Sequence, residues 1–67
     1  MPERAVLTVL REHWPLWDTP ERIARIAHLP VPVTESALGT LREQGLAKQD
    51  GRRWCASDAP PSNHPAP

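Results

Sequence analysis

Nine prolines set the outer limits on what this 67-residue chain can form. A proline inside a helix removes a backbone donor and disfavours helical geometry in the residue before it. Pro15 therefore ends any helix begun near the N-terminus, and Leu29-Pro30 ends the next one. Pro30-Val31-Pro32-Val33 reads as a stiff turn. Only short helices fit between these points, and they must share one small core.

The apolar spacing between the prolines supports this. From Glu3 to Trp14, Val6, Leu10 and Trp14 recur at every fourth position with Leu7 beside them, one face of a helix. Leu16-Trp17-Asp18 is a bridge able to lie extended and add a small strand to a sheet. Thr19-Pro20-Glu21 is a helix start: Thr19 caps, Pro20 suits the first position, and Glu21 sits near the positive end of the dipole. The second helix carries Ile23, Ala24, Ile26 and Ala27. The third is predicted to begin between Pro32 and Thr34. Its stripe is Ala37, Leu38 and Leu41, with Val33 or Thr34 a turn earlier. Gly45 after Gln44 is its natural stop. Gly39, inside it, costs about 1 kcal/mol relative to alanine and marks either the close approach of another backbone or nothing.

A hairpin follows. Leu46-Ala47-Lys48-Gln49 reads as a strand, Asp50-Gly51 as a type I′ turn, and Arg52-Arg53-Trp54-Cys55-Ala56 as the return. A two-residue turn pairs Gln49 with Arg52, Lys48 with Arg53, and Ala47 with Trp54. Ala47 and Trp54 then face the core, and Lys48 and Arg53 share the other face.

The fold class expected is mainly α with a small β-hairpin: three helices and a two- or three-stranded antiparallel sheet. The domain occupies residues 1–57. Residues 58–67 contain four prolines and no large apolar side chain, so they are read as a disordered, polyproline-leaning tail. The chain has no Phe or Tyr, and its three tryptophans supply all the aromatic bulk. A single cysteine, Cys55, fits a reducing, cytoplasmic setting. No apolar run approaches the roughly 20 residues that cross a bilayer, and the amphipathic start is not a signal peptide.

Helix, short strand, helix, tight turn, helix, hairpin is the order of a winged helix-turn-helix. The segment from Thr19 to Pro30 resembles the second helix and turn of MarR-like and IclR-like bacterial regulators. The stretch from Leu38 to Trp54, with its Leu41-to-Gly45-Leu46 step, is similar to their recognition helix and wing. The resemblance implies a small DNA-binding transcriptional regulator, with the third helix in the major groove of double-stranded DNA and the wing on the flanking backbone. Carried onto this chain, the groove positions fall at Pro30, Val31, Pro32, Thr34, Glu35, Ser36 and Gly39, then Thr40 and Arg42. The wing adds Lys48, Arg52 and Arg53, with Arg22 and Arg25 as further backbone contacts. His28 stands where many such turns carry glycine, so the turn must accept a side chain.

Two features favour a rival, a winged-helix adaptor that grips another protein. Net charge is zero, and the first turns of the third helix hold no Arg, Asn or Gln to read bases. Trp14 and Trp17 around Pro15-Leu16, and the Pro-Val-Pro-Val turn, could display an apolar patch, although with so few other large side chains at least one of these two tryptophans is expected in the core. Exposure of Val31, Trp14 and Trp17 separates the two readings. A module this small needs a homodimer or a larger complex to hold DNA firmly. His13, His28, His64 and Cys55 match no metal-ligand spacing, and no cofactor is expected. There is no nucleophile elbow, no close carboxylate pair and no phosphate-cradling loop, so neither catalysis nor a small-molecule substrate is expected.

Overall fold

A computed structural model describes residues 2–58. The elements are α1 (Pro2–His13), α2 (Pro20–Ala27), α3 (Val31–Glu43), β1 (Ala47–Asp50) and β2 (Arg53–Ala56). The tail from residue 59 onward lies outside the described residues. The mainly helical class with one small antiparallel hairpin is thus observed, and the layout is compatible with a winged helix.

Local signals set most boundaries. Thr19 is the N-cap of α2, its backbone extended and its hydroxyl accepting the Arg22 N–H at 3.4 Å, with Pro20 opening the helix. The helix ends on His28, which is left-handed at φ 58 and ψ 44. Leu29 N–H then reaches back to the Ala24 carbonyl at 3.0 Å. Gly45, at φ +77, ends α3 by the same geometry, with Leu46 N–H on the Leu41 carbonyl (2.9 Å) and Gly45 N–H on the Arg42 carbonyl (3.0 Å).

Two expectations need correction. First, α3 begins at Val31, earlier than predicted. Pro30 is extended and acts as the N-cap, and its carbonyl takes the Thr34 N–H at 3.0 Å. Pro32 then sits in the first turn, where a missing N–H costs nothing. Second, the hairpin pairs Asp50 with Arg53, Gln49 with Trp54, Lys48 with Cys55, and Ala47 with Ala56. The turn is Gly51-Arg52. Gly51 alone has positive φ (+61), the sign pattern of a II′ turn and not of I′. Every partner moves two places along, and side chains alternate with period two. The faces therefore survive the slip: Ala47 and Trp54 still share one, Lys48 and Arg53 the other.

The bridge Leu16-Trp17-Asp18 does touch the sheet, through one residue. Asp18 and Trp54 form an antiparallel bridge, with N–H to carbonyl distances of 2.9 and 2.7 Å. One core joins the layers: Val6, Val9 and Leu10 from α1, Ile23 from α2, Ala37, Leu38 and Leu41 from α3, and Ala47, Trp54 and Ala56 from the hairpin. Each large aliphatic side chain buried here contributes about 1.5–3 kcal/mol.

Candidate nucleic-acid interface

The left-handed turn at His28 breaks α2 from α3 and lets α3 leave in a new direction. Thr34, Ala37, Leu38 and Leu41 are its buried stripe. At 3.6 residues per turn the opposite side carries Pro32, Ser36, Gly39 and Glu43, flanked by Glu35. Pro32, Glu35, Ser36 and Glu43 are exposed. A Cβ on Gly39 would meet nothing within 4 Å, so among the described residues no backbone outside α3 approaches it.

Thr34 is not on this face. It is 0% exposed, and its hydroxyl has no hydrogen-bond partner. It lies on the buried stripe of α3, one turn before Leu38. A side chain enclosed in this way cannot reach a ligand. Glu35 and Ser36 remain available. Thr40 is half-buried, and its hydroxyl donates to the Ser36 carbonyl at 3.2 Å.

Arg42 is exposed but engaged. Its guanidinium donates to Gln49 Oε1 and lies 5.9 Å from the Trp54 ring centroid. Gln49 and Trp54 are cross-strand partners, so Arg42 ties α3 to the hairpin. Gln49 Nε2 in turn donates to the Gly51 carbonyl at 3.0 Å and braces the turn.

On the outer face of the hairpin stand Lys48, Asp50 and Arg53, all exposed. Neither Lys48 nor Arg53 has a carboxylate within 4 Å among the described residues. At the tip, Arg52 Nη2 is 3.5 Å from Glu21 Oε2 at the start of α2. Both groups are well exposed, so the pair is weak and exchanges readily with solvent ions. Arg22 Nε lies 3.4 Å from Asp18 Oδ1. The cations expected to form a continuous positive surface are therefore divided. Among the described residues Lys48, Arg53 and Arg25 face solvent without an ion pair, while Arg22 and Arg52 each face a carboxylate.

One constellation escaped the sequence reading. Asp18 is only 6% exposed, and its carboxylate accepts from His13 Nδ1 at 2.9 Å and faces Arg22 on its other oxygen. The three residues straddle Pro15 and Pro20; Asp18 and Arg22 stand four apart, while His13 joins them across the proline-bounded bridge. Asp18 fixes the end of α1, the start of α2 and strand β2 to each other, and sets where the hairpin stands beside α3.

Trp14 (41%), Leu16 (65%) and Trp17 (39%) are exposed, so neither of these tryptophans fills the core as expected, and Val31 is half-buried. Among the described residues no group of three His, Cys, Asp or Glu side chains is placed to hold a metal ion. None of the helices is long and apolar enough to cross a membrane. The chain matches no known protein family, no curated protein and no solved structure.

Proposed function

We propose that this domain binds double-stranded DNA in the manner of a winged helix-turn-helix regulator, with the outer face of α3 in the major groove and the outer face of the hairpin on the flanking phosphates. One observation carries the reading. The uncovered face of α3, with Ser36 and Gly39 at its centre, lies beside a hairpin that presents Lys48 and Arg53 without carboxylate partners among the described residues. A small-residue helix face permits close approach to a duplex, and two cations on a projecting ribbon supply phosphate contacts.

Glu35 and Glu43 on the same helix oppose phosphate, so affinity rests on the hairpin and discrimination between sequences is small. Two copies, or a larger assembly, would then be needed for stable occupancy. The domain would act in transcription regulation in the cytoplasm and needs no cofactor.

The test is a titration of a labelled mixed-sequence duplex followed by fluorescence anisotropy, at about 50 mM and about 200 mM salt. Binding should weaken steeply with salt. Lys48→Ala combined with Arg53→Ala should lower the salt slope by about 2, one for each lost phosphate contact. Absence of binding at the lower salt, or an unchanged slope in the double variant, overturns the reading.

A second reading rests on Trp14, Leu16 and Trp17. Exposed tryptophans are the residue type most enriched where proteins grip each other, and these sit outside α3 and the hairpin. A winged-helix adaptor would use them on a partner protein.

A further inference from the structure

Helix α1 buries Val6, Val9 and Leu10 and carries four charges away from them: Glu3, Arg4, Arg11 and Glu12. Arg4 and Glu12 are exposed, and Glu3 and Arg11 are half-buried. Among the described residues none of the four makes an ion pair. Their spacing is the reason. Opposite charges stand eight positions apart, Glu3 from Arg11 and Arg4 from Glu12. Eight residues span about 12 Å of helix, too far for a pair within it. The adjacent charges point in different directions.

The charges lie on two rows that climb the helix in steps of four. One row is Glu3, Leu7 and Arg11, and the other is Arg4, Thr8 and Glu12. Each row changes sign from end to end about an uncharged middle residue, and the two rows run in opposite senses. Such a reversal is what a two-fold contact requires, because residue i meets residue j of the partner and j meets i. When two helices cross at about 50°, their steps-of-four rows run parallel where they touch. Turn a second α1 end for end about Leu7 and Thr8, and Glu3 faces the partner's Arg11 while Arg4 faces the partner's Glu12. Each pair then occurs twice, and all four charges are matched.

The middle of the face suits the crossing point. Leu7 borders an open groove whose other side is Leu41, Gln44 and Leu46. Leu7 and Leu46 pack against the core but are only partly buried, so an apolar strip lies beside the axis. The Thr8 hydroxyl already donates to the Arg4 carbonyl at 2.9 Å and brings no unpaired donor to the contact.

We propose that this face of α1 is the contact for a second copy of the chain, with the two helices crossing about Leu7 and Thr8. It names a source for the second copy that stable duplex binding calls for, but it rests on α1 alone and not on the DNA reading. Ser36, Gly39, Lys48 and Arg53 belong to other elements.

The experiment is sedimentation equilibrium of the full chain at up to about 1 mM protein, in about 0.05 M and about 0.5 M salt. Dimers are expected at the lower salt, and the higher salt should weaken them. Arg4→Glu alone, or Glu12→Arg alone, sets like charges opposite each other at both ends and should raise the dissociation constant about tenfold. The two changes together restore opposite signs and should recover the value of the unaltered chain. Both sites are exposed, and an acid near the helix start and a base near its end agree with the helix dipole, so the variants keep their fold. Far-ultraviolet circular dichroism verifies this. A chain that stays monomeric at the lower salt overturns the proposal. Dimers indifferent to the single changes overturn it too, and if Leu16→Ser dissociates them the tryptophan surface is the contact instead. Duplex binding is not a readout, so failure here and failure of the DNA reading are told apart.

Discussion

Asp18 and Trp54 exchange both of their backbone hydrogen bonds, and the side chains of the same two residues bind the remaining layers. The Asp18 carboxylate holds His13 at the end of α1 and Arg22 in α2. The Trp54 ring enters the core on one side and meets the Arg42 guanidinium from α3. A connecting loop and a short strand thereby fix how the hairpin stands against the third helix.

Asp18→Ala should therefore cost more than a surface substitution. It deprives a half-buried histidine of its acceptor, and the loss expected is about 2 kcal/mol, discounted for the exposure of Arg22. Asp18→Asn retains one hydrogen bond and should lose less. Urea unfolding followed by circular dichroism measures both, and an unchanged midpoint for Asp18→Ala would contradict the role assigned to the carboxylate.

Thr34→Val should stabilise the domain. The hydroxyl is enclosed without a partner, and valine keeps the shape while removing the desolvated group. The gain expected is about 1 kcal/mol, read as a higher thermal midpoint. Duplex affinity should not change, because Thr34 has no surface to offer. Lower stability would show that the hydroxyl finds a partner after all.

Two glycines in or beside α3 should respond to alanine with opposite signs. Gly39 has open space around its missing Cβ, so Gly39→Ala should raise stability by about 1 kcal/mol. Gly45 is left-handed at φ +77, and Gly45→Ala should lower it by about 1 kcal/mol or more. Thermal melts of the pair give the answer directly. If Gly39→Ala also weakens duplex binding while stabilising the fold, the glycine serves close approach to the ligand.

Leu38→Ala opens a cavity at a fully buried position joining α3 to the other helices. Such changes cost about 2–5 kcal/mol. A domain of this size has roughly 3–9 kcal/mol in total. Far-ultraviolet circular dichroism should show a large unfolded fraction at room temperature, and a native spectrum with an unshifted melt would argue against the core as described.

Local chemistry made much of this architecture readable in advance. Thr19-Pro20, Gly45 and the stripe Ala37-Leu38-Leu41 each act through their immediate neighbours, so the sequence alone locates them. The left-handed turn at His28 was legible from the resemblance. The start of α3 was not, because Pro30 and Pro32 suit a stiff turn and a helix N-terminus equally well. Thr34 stands four residues before Leu38 on the stripe the sequence already marked, and that spacing is what carries it inside. The hairpin register was misread because Asp50-Gly51 resembles a I′ turn, whereas the chain places Gly51 first and Arg52 second. The faces were still correct, since a shift of two preserves alternation. The pairings of Arg42 and Arg52 depend on tertiary placement and leave no periodic trace, whereas the four-residue spacing of Asp18 and Arg22 stands in the sequence itself. They are why the positive surface is smaller than the count of arginines suggests.

The most direct test of the proposed role is an amide chemical-shift map of the isotope-labelled chain titrated with a mixed-sequence duplex at low salt. The account predicts that the largest changes fall at Ser36, Gly39 and Thr40 on α3 and at Lys48, Gly51 and Arg53 on the hairpin. Changes confined to Trp14 through Trp17, or none at any duplex concentration, would contradict it.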